Sequence, residues 1–149
     1  MKKIIALTGL LSFFSCINNV SETSDSSIEG TWKLITGIVI EKGDTAVTDY
    51  SKDISFIKMF NKTHFAFLHH DLNKGKDSLA VFVAGGGRYS LIKNSYTEYL
   101  EYCSDRNWED NEFNFTISIN GDTLIQTGVE KIEDSGIDRL NIEKYIRLE

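Results

Sequence analysis

Glu98 lies in the run Tyr96-Thr97-Glu98-Tyr99-Leu100-Glu101-Tyr102. On an extended chain every second residue shares a face, so Glu98 sits with Tyr96, Leu100 and Tyr102. A carboxylate on a buried aromatic face loses hydration. It then either takes a raised pKa or recruits hydrogen-bond donors. Such a group is chemically useful as a polar anchor for a ligand or as a general acid/base. Gln126, in the alternating run Leu124-Ile125-Gln126, is a second polar residue on an apolar face.

The three histidines offer a different chemistry. His69 and His70 stand next to Asp71, a combination that suits a metal ion. Neighbours on a strand point to opposite faces, however, so both rings cannot ligate one ion without a bend. His64 and His70 share a face but lie about 20 Å apart at strand rise, too far for one metal. Which way His64, His69 and His70 face is open. Phe65 and Phe67 favour their own face, with His69, as the inner one. The preceding Phe56, Lys58 and Phe60 alternate with Ile57 and Met59 and do not decide it. No metal or cofactor is expected.

Arg88 follows Gly85-Gly86-Gly87. A phosphate loop needs a lysine and a helix N-terminus after its glycines, and a strand follows here. The glycines read as a bend or bulge. Cys103 has no basic partner in sequence to make a thiolate, so it reads as a small buried hydrophobe. Trp108, in the charged run SDRNWEDN, reads as a lid or a packed aromatic. The serines fall in loops or on polar faces, so no Ser/His/Asp arrangement follows.

Short strands with turn signals every eight to twelve residues must position these groups. Residues 30–40 form the first strand, and 41–45 a turn. Residues 54–60 and 64–70 pair around Asn61-Lys62, and 71–77 are a charged loop. Residues 78–84 read as a strand apolar on both faces. Residues 87–92 and 95–103 form a hairpin around Lys93-Asn94. After a loop over 104–111, residues 112–120 and 122–132 form a hairpin around Asn120-Gly121, a type I′ signal. Residues 140–148, after a loop over 133–139, form the last strand. This is an all-β chain of eight or nine antiparallel strands. Closure removes both exposed edges, so a barrel is expected.

Cross-strand partners share a face. A two-residue turn at Lys93-Asn94 pairs Ile92 with Ser95, Leu91 with Tyr96 and Tyr89 with Glu98. The inward set is then Tyr89, Leu91, Tyr96, Glu98, Leu100 and Tyr102. The second hairpin pairs Ile117 with Leu124 and Phe115 with Gln126, which turns Phe113, Phe115, Ile117, Leu124 and Gln126 inward. The expected cavity lining is Tyr89, Tyr96, Glu98, Leu100, Tyr102, Phe113, Phe115 and Gln126.

The chain has 149 residues and no proline, and its formal charge is −6. Residues 1–15 resemble a lipoprotein-type signal peptide, with an ordinary secretory signal as the alternative: Lys2 and Lys3 precede an apolar run too short to span a bilayer, ending in Ser15-Cys16. Cys16 is the expected lipidation site, and residues 16–27 a Ser-rich flexible tether. Loss of Lys2 and Lys3 leaves a charge of about −8, a poor match for phosphate backbones. Nucleic acid is therefore not an expected partner. Export and lipid anchoring to a bacterial membrane are expected, and the oligomeric state is open.

Residues 28–149 form the barrel domain. Gly30-Thr31-Trp32 opens its first strand and Arg147 lies near the end of its last. These resemble the G-x-W opening and closing arginine of lipocalin-like (calycin) barrels, in which a cation–π contact closes the barrel base. The stretches HFAF (64–67), GGGRYSLIKNSYTE (85–98) and GDTLIQTG (121–128) resemble small uncharacterised bacterial lipocalin-like domains. The resemblance implies a fold, with Trp32 and Arg147 in structural closure, and carries no chemistry. The leading expectation is a non-enzymatic binding module for a small, partly apolar or amphipathic molecule. The alternatives are an enzyme on the same barrel using Glu98 as acid/base, and a structural or protein-interaction lipoprotein with a side-chain-filled barrel.

Overall fold

The computed structural model describes residues 27–78 and 80–148. The leader over 1–15, Cys16 and the tether up to residue 26 lie outside the described residues. The described residues form nine antiparallel strands: β1 (Gly30–Glu41), β2 (Asp44–Asp49), β3 (Ile54–Phe60), β4 (His64–Asp71), β5 (Phe82–Ile92), β6 (Ser95–Cys103), β7 (Asn111–Asn120), β8 (Thr123–Ile132) and β9 (Ile137–Leu148).

Strands β1 and β3 to β9 follow one another around a ring, and β1–β9 pairing closes it. The closing ladder runs from Thr31↔Leu148 to Ile40↔Leu140, with a bulge between Leu34 and Thr36. That bulge re-phases β1: Trp32 and Leu34 point inward below it and Gly37 above it. The lower part of β1 pairs with β3 over Gly30–Lys33. Its upper part pairs instead with β2, from Thr36↔Asp49 to Glu41↔Asp44. Strand β2, all exposed, is thus a ninth strand laid on the ring, and no alternation of residue types announces it.

Four boundaries differ from expectation. The strand placed over 78–84 begins only at Phe82. Asp71 explains this: its carboxylate accepts from Gly75 N (2.8 Å) and Val81 N (3.2 Å), which folds the segment into a loop. Strand β5 runs unbroken through the three glycines, with a register shift between Gly86 and Gly87. Strand β9 starts three residues early, at Ile137. In the second hairpin Gly121 and Asp122 make the turn, with Asn120↔Thr123 flanking it. Gly121 alone has positive φ (56°), the pattern of Gly-X rather than Asn-Gly turns. Ile117 therefore pairs with Gln126 and Phe115 with Gly128. The slip displaces each partner by two, so every side chain keeps its face.

The packed core fills the end where β1 begins. Trp32, Leu34, Tyr96, Leu124 and Tyr145 are at most 1 % exposed, and Phe60, Phe65 and Phe115 pack with them. Arg147 pairs with Trp32 in the ladder, and its guanidinium lies 4.0 Å from the indole centroid. It donates to the carbonyls of Glu29 (2.7 Å) and Ser27 (2.6 Å), while the indole N–H donates to Ile28 O (2.8 Å). The base is thereby shut by a cation–π contact and three hydrogen bonds.

Candidate functional site

Above this plug the barrel is hollow. A cavity of about 380 Å³ opens at the end where β3 begins and β6 finishes. Its wall surface is mostly apolar, with the aromatic side chains of Tyr50, Phe56, Phe67, Trp108 and Phe113 contributing to it. Its floor is polar and holds a residue from β3, outside the β5–β6 and β7–β8 hairpins. Lys58, 4 % exposed, forms an ion pair with Glu98, itself 7 % exposed. Lys58 Nζ also donates to Gln126 Oε1 (3.0 Å), and Gln126 Nε2 to Glu98 Oε1 (3.4 Å). The three side chains close a ring of contacts across the barrel.

Aromatic faces surround the ammonium. The centroids of Phe65, Tyr96 and Phe60 lie 5.3, 5.5 and 5.7 Å from Lys58 Nζ. A buried cation needs this partnering, since a lone ammonium in a dry interior costs several kcal/mol. The Tyr96 hydroxyl is buried beside Glu98, and among the described residues no group meets it at full hydrogen-bond geometry. Burial, and then the nearby Glu98 carboxylate, hold its pKa well above the ordinary tyrosine range.

A second polar group lies on the wall formed by β8 and β9. Arg139 Nε donates to Glu130 Oε2 (2.7 Å) and Asn141 Nδ2 to Glu130 Oε1 (3.0 Å). The Arg139 guanidinium also lies 5.1 Å from the Trp108 ring centroid. Glu143, beside Gln126 in the ladder, accepts from the Tyr145 hydroxyl (2.7 Å). Burial raises the Glu143 carboxyl above its usual range, while Lys58 pulls it back down. Burial, then Glu143, raises Tyr145 well above its own.

The eight expected lining residues separate into four groups. Glu98, Leu100, Phe113 and Gln126 line the cavity. Tyr96 and Phe115 belong to the packed layer. Tyr89 lies at the opposite end, where its hydroxyl donates to Asn61 O (2.7 Å). Tyr102 points outward and is 68 % exposed, whereas Cys103 is buried and lines the cavity. The reason is the β5–β6 bulge. Gly86 pairs with Tyr102 but Gly87 pairs with Leu100, so Glu101 is the extra residue and the alternation reverses beyond it.

The histidine register also resolves. Phe56 pairs with His69, Lys58 with Phe67 and Phe60 with Phe65, which places Phe65, Phe67 and His69 inside. His69 packs against Tyr50 and Phe56, and its Nε2 is buried without a partner. His64 and His70 are exposed. Among the described residues no three His, Cys, Asp or Glu side chains converge as a metal site. Lys58 did carry a signal: it alternates with Phe56 and Phe60, and the Asn61 turn sets the pairing of these three with Phe67, His69 and Phe65. Asn61 Oδ1 accepts from the backbone N–H of Thr63 (2.9 Å) and His64 (2.8 Å), which fixes that turn.

The other end carries a hollow of about 560 Å³ bordered by Glu29, Lys62, Tyr89, Leu91 and Lys93. It lies outside the Trp32 plug, and no buried ionised group opens into it. The upper cavity is therefore the candidate site.

These features define a closed antiparallel barrel with one extra strand and an open, polar-floored interior. No protein-family model and no curated protein matches the chain. An uncharacterized protein from Bacteroides eggerthii is similar in structure, at 14 % identity and a TM-score of 0.47, over 80 % of this chain and 98 % of that one.

Proposed function

We propose that this protein is an exported, lipid-anchored, lipocalin-like binding protein that holds a small, partly apolar molecule in the upper cavity. One observation carries the reading. The barrel is filled at its base and hollow above, and the hollow ends on the buried Lys58–Glu98–Gln126 ring. A barrel serving only as a scaffold gains stability by filling this space with side chains. A volume of about 380 Å³ sits near the lower end of ligand pockets, roughly 300–1,000 Å³. Aromatic walls with a few fixed polar groups are the usual composition of such sites.

Glu98 holds the floor together in this reading. Its Oε1 accepts from both Lys58 and Gln126, which suits a fixed structural acceptor better than a proton carrier. The lipid anchor rests on Lys2, Lys3, the apolar run and Ser15-Cys16.

Native mass spectrometry of the full chain, recovered from its own host in mild detergent, tests the binding function. The expected result is a non-covalent small-molecule adduct, reduced or lost in Leu100→Trp, which fills the cavity. A folded wild type that carries no adduct and binds nothing from a host metabolite extract overturns the proposal. For the anchor, Cys16→Ser is expected to abolish incorporation of labelled fatty acid. Unlabelled wild type overturns the lipoprotein reading.

A further inference from the structure

Charge pairing inside the cavity is unequal. Two cations reach it, and each is already matched to a carboxylate: Lys58 to Glu98 and Arg139 to Glu130. A third carboxylate, Glu143, lines the same cavity. Among the described residues no Lys, Arg or His nitrogen stands within ion-pair distance of it, and the Tyr145 hydroxyl is the donor it receives. Asp105 adds another carboxylate at the rim. Carboxylates therefore outnumber cations in the lining, among largely apolar walls.

We infer that the cavity selects a small organic cation, an amine with an apolar or aromatic body, and that Glu143 is its anchoring carboxylate. This deepens the proposed binding function and rests on it. The chemistry is complementary at both ends of such a ligand. An ammonium at Glu143 gains a charge-assisted hydrogen bond inside a partly enclosed cavity. The aromatic side chains around it, Tyr50, Phe56 and Tyr145, suit both a cation and an apolar ring. Phe56 and Tyr145 are already edge-on neighbours, 6.4 Å apart at their centroids. A carboxylate ligand fits poorly. To reach Lys58 it must displace Glu98 or Gln126, and to reach Arg139 it must compete with Glu130, with Glu143 repelling it in either place.

A charge series of one shape separates this from simple hydrophobic filling: phenethylamine, 2-phenylethanol and 3-phenylpropionate, titrated calorimetrically into the full-length protein. The amine is expected to bind at least about tenfold tighter than the alcohol, and the acid weakest; a tenfold step is about 1.4 kcal/mol. Glu143→Gln is expected to bring the amine down to the affinity of the alcohol while alcohol binding stays as in the wild type. Unchanged alcohol binding also reports an intact cavity. If that variant fails to fold, the ranking of the three probes on the wild type decides alone. Equal binding of all three, or the acid ahead of the amine, overturns the cation assignment and leaves the cavity as a binding site. Binding by none of the three, up to their solubility limits, overturns the cation assignment, and the native mass spectrum then decides the binding function beneath it.

Discussion

Lys58 and Glu98, forty positions apart and on strands that are not neighbours in the ring, form a buried ion pair at the cavity floor. Strands β4 and β5 lie between β3 and β6, so the contact crosses the interior instead of following a ladder. Removing one partner strands the other charge in a dry site. Lys58→Met is expected to cost about 3–5 kcal/mol, and Lys58→Met with Glu98→Leu to recover most of the loss. Urea unfolding of the two variants checks this. A single substitution that leaves stability unchanged removes the pair from the account of the fold.

Gly87 marks where β5 and β6 change register. A Cβ there would stand 1.9 Å from the Tyr99 carbonyl oxygen and 2.8 Å from Glu101 N. Both are backbone atoms that cannot rotate away. Gly87→Ala is expected to destabilise by about 1–3 kcal/mol or more, the scale of overpacking. Thermal unfolding measures the loss. The same bulge sends Tyr102 out and Cys103 in, so the variant should also increase thiol reactivity at Cys103, read in a Cys16→Ser background.

His69 predicts a pH effect of known sign. Burial, and then the neighbouring His70, lower its pKa below the ordinary 6.5. A base depressed in the fold stays neutral there and protonates in the unfolded chain first. Its stabilising contribution is present above the unfolded pKa and is lost as pH falls through the folded value. His69→Phe removes this and fills an aromatic cluster that already holds Tyr50 and Phe56. The gain in melting temperature is expected to be larger at pH 5 than at pH 8. A pH-independent difference shows that His69 does not titrate with unfolding.

Arg147→Ala removes the stacked guanidinium over Trp32 and two hydrogen bonds to the carbonyls of residues 27 and 29. The expected loss is about 1–3 kcal/mol. Arg147→Lys should recover only part, since an ammonium has neither the planar face nor the fork. Chemical denaturation separates the three proteins.

Local pattern explains why much of this was legible. Tyr89↔Glu98 and Leu91↔Tyr96 follow from a two-residue turn at Lys93-Asn94 and from period-two alternation, and both are found. The second hairpin slipped its turn by one residue, yet Gln126 stayed inside because the slip preserved face. Tyr102 departs from its expected face where the alternation is interrupted. Three glycines announce a bulge, but they do not say which residue of the opposite strand is the extra one.

The amino-acid order alone determined an all-β chain, the inward faces of two hairpins, and the presence of Glu98 and Gln126 among apolar neighbours. These follow from the fixed two-residue period of a strand and from the short reach of a turn. Tertiary closure decided the rest. It divided one inward face between plug and cavity, so that Tyr96 became packing and Glu98 became floor. It brought Lys58 to Glu98 across the ring and left Glu143 without a matching cation. Strand alternation gives a side chain its face but not its height in the barrel or the strand opposite, because both depend on how all eight ladders close.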